Sequence, residues 1–257
     1  MNSMSATVIR LEQVSREFDG KRVLSGLDLD VSESETFSIL GGSGIGKSVT
    51  LKLLIGLLRA DQGRVLFRGR DLTHLKEREW VRVRRNFGMV FQGAALFDSL
   101  TVLENVAYPL REHLRSDEET IRRTVSEKLA LVGLEGIEAT LPSELSGGMR
   151  KRVAVARAIA LEPEVILYDE PTSGLDPSNA GRIGDLIRNL QQRLGVTSIV
   201  VTHDLGLCRT VSDRVGLLRD GHLVWLGSPH ELHNSADPEI RGFLQGSFPD
   251  PGAMEPS

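Results

Sequence analysis

The 257-residue sequence predicts an α/β lobe that is interrupted by a helical lobe. Three short apolar segments, at 36–40, 165–168 and 198–202, are typical of strands buried in a parallel sheet. Residues 92–161 are mostly helical in pattern and separate the first of these segments from the other two. We therefore expect a sheet whose strands are brought together across a helical insertion.

The residues before the first buried strand predict an antiparallel pair. Residues 6–14 and 23–31 alternate apolar and polar side chains on either side of the turn Asp19-Gly20. After the strand at 36–40, the spacing i, i+3, i+4, i+7 predicts a helix with one buried face. That face is formed by Leu51, Leu54, Ile55 and Leu58.

The helical stretch and the end of the chain carry further local signals. Ser116 with Glu119 predicts a capping box at a helix start. The face of that helix is predicted to be Ile121, Val125, Leu129 and Val132. Residues 214–218 and 222–226 flank an Asp-Gly pair and predict a terminal hairpin.

Composition excludes several classes of protein. The formal net charge of −4 at pH 7 argues against a nucleic-acid partner. The single cysteine, Cys208, cannot form an internal disulfide and favours a reducing compartment. No stretch approaches the ~18 consecutive apolar residues that would span a bilayer, so any work at a membrane would need another subunit. We expect one domain at 6–246, with a helical subdomain at roughly 92–161 and a flexible tail at 247–257.

A phosphate loop is predicted at residues 41–48, which fit G-x-x-x-x-G-K-[ST] between a strand and a helix. Glycines let backbone amides approach phosphates without a Cβ clash. Lys47 would reach the β- and γ-phosphates, and the Ser48 hydroxyl would ligate Mg²⁺. The predicted ATP-binding residues here are Gly41, Gly42, Ser43, Gly44, Ile45, Gly46, Lys47, Ser48 and Val49.

Two further strand ends carry polar side chains. Asp169 and Glu170 follow a buried strand; alone they indicate a solvated turn, but beside a phosphate loop they indicate a hydrolytic site. Asp169 suits support of Mg²⁺ and Glu170 suits polarisation of the attacking water. His203 ends another strand and is either a structural hydrogen bonder or a group that holds γ-phosphate or orients Glu170. The predicted catalytic set is Lys47, Glu170 and His203.

A second anion site is indicated by Ser146-Gly147-Gly148 at the start of an apolar-periodic helix. A helix N-terminus with bare amides attracts anions through unsatisfied donors and a partial positive charge. On its own this segment also fits a serine-capped helix that begins with a glycine turn.

Taken together, these motifs resemble the ATP-binding cassette family, the ATPase subunits of ABC transporters. The resemblance covers nearly everything from 8 to 244. It rests on the phosphate loop, Gln92, residues 145–149, 165–170 and 173–176, and His203. It implies a P-loop NTPase fold with a RecA-like core lobe, an antiparallel β subdomain and an inserted helical subdomain. The implied cofactors are ATP and Mg²⁺.

The resemblance also implies residue roles. Two subunits would pack head to tail as a homodimer, so that each phosphate loop faces the partner's signature segment, residues 145–149. The signature in trans is Leu145, Ser146, Gly147, Gly148 and Met149. Gln92 would contact Mg²⁺ or water and sense the membrane partner, with Ser48 and Asp169 completing the metal set. Asp176 would link the two sites across the interface, and Phe18 would stack on adenine, where tyrosine is more usual.

A narrower resemblance is carried by residues 91–102 and 105–112 together with Met149. They are similar to the Mla-type ATPases of MCE-domain systems, which move phospholipids between the membranes of diderm bacteria. This implies integral membrane permease subunits, an MCE-domain lipid-binding protein, and a location at the cytoplasmic face of the inner membrane. The short Pro/Gly-rich stretch after Gly246 departs from the longer tails of such proteins.

Two alternatives stay open at this point. The apolar residues 94–100 either shape a groove for a helix of the membrane subunit or are core packing of their loop. The cargo could also be an amino acid or a lipoprotein, because cargo contacts lie in other subunits. An ABC protein of DNA repair or translation fits poorly, since the chain has no coiled-coil insertion, second cassette or basic stripe.

Overall fold

The computed structural model describes residues 6–244. The strands are β1 (Thr7–Phe18), β2 (Lys21–Ser32), β3 (Thr36–Leu40), β4 (Gln62–Phe67), β5 (Arg70–Asp71), β6 (Phe87–Val90), β7 (Val165–Asp169), β8 (Thr197–Thr202), β9 (Arg214–Arg219) and β10 (His222–Gly227). The helices are α1 (Lys47–Leu54), α2 (Glu77–Arg84), α3 (Val102–His113), α4 (Glu118–Leu131), α5 (Gly147–Ala158), α6 (Pro177–Leu194), α7 (Leu205–Val211), α8 (Pro229–His233) and α9 (Pro238–Leu244). The tail expected at 247–257 lies outside the described residues.

The first sheet is antiparallel, in the order β2-β1-β4-β5. Its hairpin turns at Asp19 and Gly20, which both have positive φ, at 48° and 80°. Two left-handed residues match the right-handed twist of the flanking strands, and the Asp-Gly pair therefore fixes this hairpin. The predicted antiparallel pair is confirmed, and both strands are longer than predicted.

The second sheet has the order β10-β9-β3-β8-β7-β6. Neighbours from β9 to β6 are parallel, and β10 returns antiparallel to β9 as the predicted terminal hairpin. Every residue of β3, β7 and β8 is buried, as strands covered on both faces require. The carboxyl ends of these three strands share one edge, where α/β sheets bind ligands.

Alternate residues of β7 divide the hydrophobic core. Ile166 and Tyr168 face one cluster, which is built largely from α3 to α6. Val165 and Leu167 face the other cluster, which joins α1 to the antiparallel sheet. Successive side chains of a strand point to opposite faces, so this strand packs against both halves of the molecule.

The stretch predicted to be helical contains α3, α4 and α5, but one predicted cap is wrong. The N-cap of α4 is Asp117, whose carboxylate accepts hydrogen bonds from the Thr120 backbone N at 2.8 Å and the Thr120 hydroxyl at 3.0 Å. Asp117 thus satisfies the helix start, and the predicted capping box of Ser116 and Glu119 does not form.

The helix after the phosphate loop is shorter than predicted. Leu51, Leu54 and Ile55 are buried as expected, but α1 ends at Leu54. Gly56 then turns with φ 66°, and a Cβ there would lie 2.2 Å from the Trp80 ring. The left-handed Gly56 ends the helix, with the Leu57 N–H donating to the Lys52 carbonyl at 2.9 Å, and the absence of a Cβ lets Trp80 pack there. Across residues 6–244, no helix combines the length and hydropathy that crossing a bilayer would require.

Candidate nucleotide site

The phosphate loop connects β3 to α1, and its glycines are needed for close packing. A Cβ at Gly41 would lie 2.8 Å from the Leu218 carbonyl oxygen. Gly46 is the N-cap of α1, with φ 109°, and a Cβ there would lie 3.0 Å from the Val23 carbonyl oxygen. Both positions therefore exclude a side chain, which leaves the first amides of α1 bare toward the loop.

Lys47 is buried beneath this loop, with a side chain that is 6% exposed. Its Nζ donates to the carbonyl oxygens of Gly41 at 2.8 Å and Gly42 at 2.7 Å. The same Nζ lies 3.1 Å from Oε1 of Glu170. The ammonium is therefore held where the phosphate loop and the end of β7 meet.

Glu170 is the residue after β7 and has a left-handed backbone, with φ 46°. A non-glycine residue in this region costs about 1–3 kcal/mol and persists only where its surroundings hold it. Its N–H donates to the Val201 carbonyl at 2.9 Å, and its Oε2 lies 2.9 Å from Nδ1 of His203. The left-handed turn thus aims the carboxylate back toward the phosphate loop, between Lys47 and His203.

The residues predicted to hold a metal lie beside this carboxylate. The Ser48 hydroxyl donates to Oδ1 of Asp169 at 2.7 Å, and the Gln92 amide donates to the Ser173 hydroxyl at 3.3 Å. Within residues 6–244, no group of three or more His, Cys, Asp and Glu side chains could hold a metal by itself. One carboxylate, one hydroxyl and one amide form a set of oxygen donors that suits Mg²⁺, which keeps several waters and binds phosphate oxygens as well.

A pocket of about 290 Å³ opens at this edge of the sheet. The site residues predicted from the sequence that line this pocket are Phe18, Ser43, Gly44, Gly46, Lys47, Ser48, Val49, Gln92, Glu170 and His203. Phe18 is the last residue of β1, and the Arg16 guanidinium lies over its ring, 4.6 Å from the centroid. Ile45 instead packs toward the core that contains α1. The structure therefore gathers residues from β1, the phosphate loop, β7 and β8 around one cavity.

The signature segment does not line this pocket. Ser146 is the N-cap of α5, and its hydroxyl accepts from the Met149 N–H at 3.2 Å. A Cβ at Gly148 would lie 2.9 Å from Oδ1 of Asn179, so this glycine allows α5 to approach α6. Met149 packs on the helical core.

Asp176 caps the neighbouring helix α6. Its carboxylate accepts from the Asn179 N–H at 3.0 Å and the Asn179 amide at 2.6 Å. These hydrogen bonds hold the pKa of Asp176 below its ordinary value. Asp176 is exposed, and it lies at the start of α6 close to the start of α5, where the signature segment lies.

Lys151 contacts the backbone of two residues of this site and was missed from the sequence. It lies on α5 and is 6% exposed, and its Nζ donates to the carbonyl oxygens of Gln92 and, at 3.4 Å, of Glu170. Burial lowers the pKa of Lys151, and the charges of Asp169 and Glu170 oppose that effect. The only sequence signal was a lysine within an amphipathic helix, which usually indicates a solvated face.

Residues 94–100 form both a buried turn and a groove wall. Ala94 and Ala95 are left-handed, with φ 64° and 50°, and their carbonyls accept from Arg157 at 2.9 and 2.7 Å. Ala94 is buried, whereas Phe97 is 44% exposed and packs against Tyr108, with ring centroids 4.9 Å apart and ring planes tilted by 45°. The cavity beside them, of about 340 Å³, is called the aromatic groove below. Its lining includes Arg84, Phe87, Phe91, Phe97, Tyr108 and Arg157.

A phosphate loop at the carboxyl edge of a parallel sheet, faced by a buried glutamate, defines a P-loop ATPase. The chain belongs to the ABC transporter family, whose family model matches residues 24–173. It is accordingly an ABC ATPase that binds and hydrolyses ATP, as the resemblance of its motifs predicted.

Comparison with individual proteins agrees with this family. The chain is 43% identical to the probable ribonucleotide transport ATP-binding protein mkl of Mycobacterium leprae, over 93% of this chain and 69% of that protein. It is 40% identical to the intermembrane phospholipid transport system ATP-binding protein MlaF of Haemophilus influenzae, over 96% of this chain and 94% of MlaF. Among solved structures, it resembles the ATP-binding cassette MJ0796, a post-hydrolysis dimer bound to ADP and Pi, with a TM-score of 0.79. That match has 34% identity and covers 86% of this chain and 98% of MJ0796.

Proposed function

We propose that this chain energises a membrane permease that moves phospholipids between two membranes. The observation that carries the proposal is the similarity to MlaF, which extends over 96% of this chain and 94% of that protein. The relative mkl, named for ribonucleotide transport, has a similar identity but extends well beyond this chain. Neither relative is named for transport of amino acids or lipoproteins, so phospholipid is a better-supported cargo than either of these.

Hydrolysis is assigned to the pocket beside the phosphate loop. Glu170 polarises the attacking water, His203 orients the Glu170 carboxylate, and Lys47 binds the β- and γ-phosphates. Support comes from the position of the glutamate between the other two side chains, at 3.1 and 2.9 Å. When ATP enters, its phosphates replace the Glu170 carboxylate as the partner of Lys47, which frees that carboxylate for water.

Mg²⁺ is the proposed metal, held by the Ser48 hydroxyl, the Asp169 carboxylate and the Gln92 side chain. When bound, it neutralises charge on the transferred phosphoryl group. The hydrogen bond between Ser48 and Asp169 supports this assignment, because it shows that both oxygens reach one point. Of these three proposed ligands, Gln92 is the one that contact with the permease would move away from the metal.

A homodimer is proposed as the working form. The N-terminus of α5 has bare amides and a serine hydroxyl, which is a suitable anion site, yet it does not line this chain's own pocket. In a head-to-tail dimer, Ser146, Gly147 and Gly148 would bind the γ-phosphate held by the partner's phosphate loop. The dimeric state of MJ0796 supports the formation of a dimer. Asp176 is exposed next to the signature segment and is the residue we propose for the contact between the two sites.

The aromatic groove is the proposed contact with the permease. Its lining comes from both sides of Gln92 in the sequence, and its exposed Phe97 and Tyr108 form an apolar surface suited to a helix. Through such a permease the chain would sit at the cytoplasmic face of the inner membrane, and an MCE-domain lipid-binding protein would complete the system.

Co-purification and transport together test this function. A tagged full-length chain, extracted with its membrane partners in detergent, is expected to bring down a permease and an MCE-domain protein. The complex in vesicles should move a fluorescent phospholipid in an ATP-dependent manner, and a Lys47→Ala complex should not. Recovery with a periplasmic amino-acid-binding protein, or ATP-dependent transport of a pyrimidine ribonucleotide instead of a phospholipid, would contradict the proposed cargo.

A further inference from the structure

Lys151 joins two segments that meet at the nucleotide site. Its Nζ donates to the carbonyl oxygen of Gln92, in the loop after β6, and to that of Glu170, at the end of β7. The lysine lies one turn into α5, two residues after the signature segment. One ammonium group therefore connects the backbone of the loop after β6 with that of the proposed water-polarising residue.

The environment of Lys151 differs from that of the other buried lysines in the described chain. Lys47 lies 3.1 Å from a carboxylate oxygen of Glu170, and Lys128 lies 2.8 Å from one of Glu162. Lys151 instead uses its charge on two backbone carbonyl oxygens. Burial of an ammonium group is costly unless hydrogen bonds compensate for the lost water. The hydrogen bonds from the charged Lys151 to these two carbonyl oxygens are therefore expected to hold both backbone segments more firmly than apolar packing would.

The carbonyl that Lys151 holds belongs to a left-handed residue. At φ 46°, the backbone of Glu170 sets where its carboxylate points, because carbonyl and side chain turn about the same Cα. Restraint of the carbonyl by Lys151 therefore restrains the carboxylate between Lys47 and His203. The tie to Gln92 makes that restraint depend on the loop that continues into residues 94–97.

We propose that Lys151 is a positioning residue, which transmits displacement of the loop after Gln92 to the carboxylate of Glu170. The inference rests on the proposed role of Glu170 in hydrolysis. It adds a physical link between the aromatic groove and the site of hydrolysis, carried by a helix that begins with the signature segment.

Substitution of Lys151 by methionine tests the link, because methionine keeps most of the stem and removes the donor. With the purified full-length chain, we expect kcat for ATP hydrolysis to fall roughly 10- to 100-fold, as for a small misplacement of a reacting group. The dissociation constant for ATP should change less than about threefold, since Lys151 does not line the pocket. Lys128→Met is the matched control and should keep kcat within about twofold. A Lys151→Met variant with wild-type kcat would overturn the proposal.

A double-mutant cycle with Glu170→Gln separates this inference from the proposed function. If Lys151 acts through Glu170, its substitution should lower the residual hydrolysis of Glu170→Gln by less than about twofold, because coupled residues are not additive. Additive losses would overturn the positioning role, whereas full activity of Glu170→Gln alone would overturn the role of Glu170. Lys151→Gln keeps a shorter donor and, if the methionine variant does not fold, should still give an intermediate kcat; wild-type kcat there would also overturn the proposal.

Discussion

Lys47 and Glu170 form a buried ion pair, with Nζ 3.1 Å from Oε1, inside the pocket that receives the nucleotide. The two residues assigned to phosphate and to water are thus bound to each other before ATP arrives. Each group compensates the charge of the other at a buried position, where an unpaired charge would be costly. Bound phosphates are expected to compete with Glu170 for Lys47, and this competition would free the glutamate for hydrolysis when its substrate is present.

Replacement of Glu170 by glutamine should separate binding from turnover. We expect steady-state hydrolysis to fall about 10²- to 10⁴-fold, because the amide cannot accept the proton of the attacking water. ATP affinity should be equal or higher, since Lys47 no longer has a carboxylate partner. Hydrolysis rates and nucleotide titration measure the two effects, and gel filtration with ATP should show a dimer.

A second left-handed glutamate provides the control for that substitution. Glu162 has φ 52° and pairs with Lys128 at 2.8 Å, away from the pocket. Glu162→Gln therefore makes the same chemical change in a similar backbone and should leave turnover within about twofold of the native rate. Undiminished hydrolysis by Glu170→Gln would show that another group polarises the water.

Much of this site is local in sequence and could therefore be predicted. The phosphate loop, the ends of β7 and β8, and the N-cap of α5 depend on adjacent residues, such as Gly46 and Ser146. Their meeting at one edge follows from the parallel sheet. Lys151 could not be predicted, because its function depends on two carbonyl oxygens that only the folded chain brings together.

The errors in the predicted elements arise where local signals compete. The end of α1 is set by the left-handed Gly56, whereas the apolar spacing favoured a face that continues to Leu58. Adjacent Ser116 and Asp117 can both cap a helix, and the additional bond from the Thr120 hydroxyl favours the aspartate. Short elements such as α2 and β5 have too few apolar residues to give a periodic pattern.

The aromatic groove can be tested by introducing a charge. Phe97→Asp places a carboxylate on the exposed ring position, and we expect the tagged chain to lose its permease in co-purification. Leu226→Asp is the control, because Leu226 is similarly exposed, at 47%, on β10. Retention of the permease by Phe97→Asp, or its loss with the control as well, would contradict docking at this groove.

Asn105 holds the wall of the same groove. It is fully buried, accepts from the Phe97 N–H at 2.8 Å, and donates to the Leu100 carbonyl at 2.9 Å. Asn105→Ala leaves these groups unpaired, which should lower the free energy of unfolding by about 2–3 kcal/mol. The melting temperature should fall by roughly 4–10 °C. Asn234→Ala, at an exposed asparagine, should shift it by less than about 2 °C.

Cys208 should make stability depend on alkaline pH. Burial raises the pKa of this thiol from 9.0 to about 12, so the folded state keeps its proton while the unfolded state loses it above pH 9. The unfolded state then binds fewer protons, and stability falls between pH 9 and 12 by up to about 1.4 kcal/mol per pH unit. In urea unfolding at pH 8 to 11, Cys208→Ala should remove that part of the slope. An unchanged slope would mean that the buried thiol ionises normally.

The order of strands in the large sheet also bears on how the polypeptide is made. The ribosome completes β3 at Leu40, whereas its two neighbours, β8 and β9, begin only at Thr197 and Arg214. A nascent chain therefore carries β3 with both edges unpaired through most of its synthesis, a state prone to aggregation and slow to resolve. Early pairing of β1 with β2 and packing of α1 would shelter it, and the nucleotide pocket would be among the last parts to assemble.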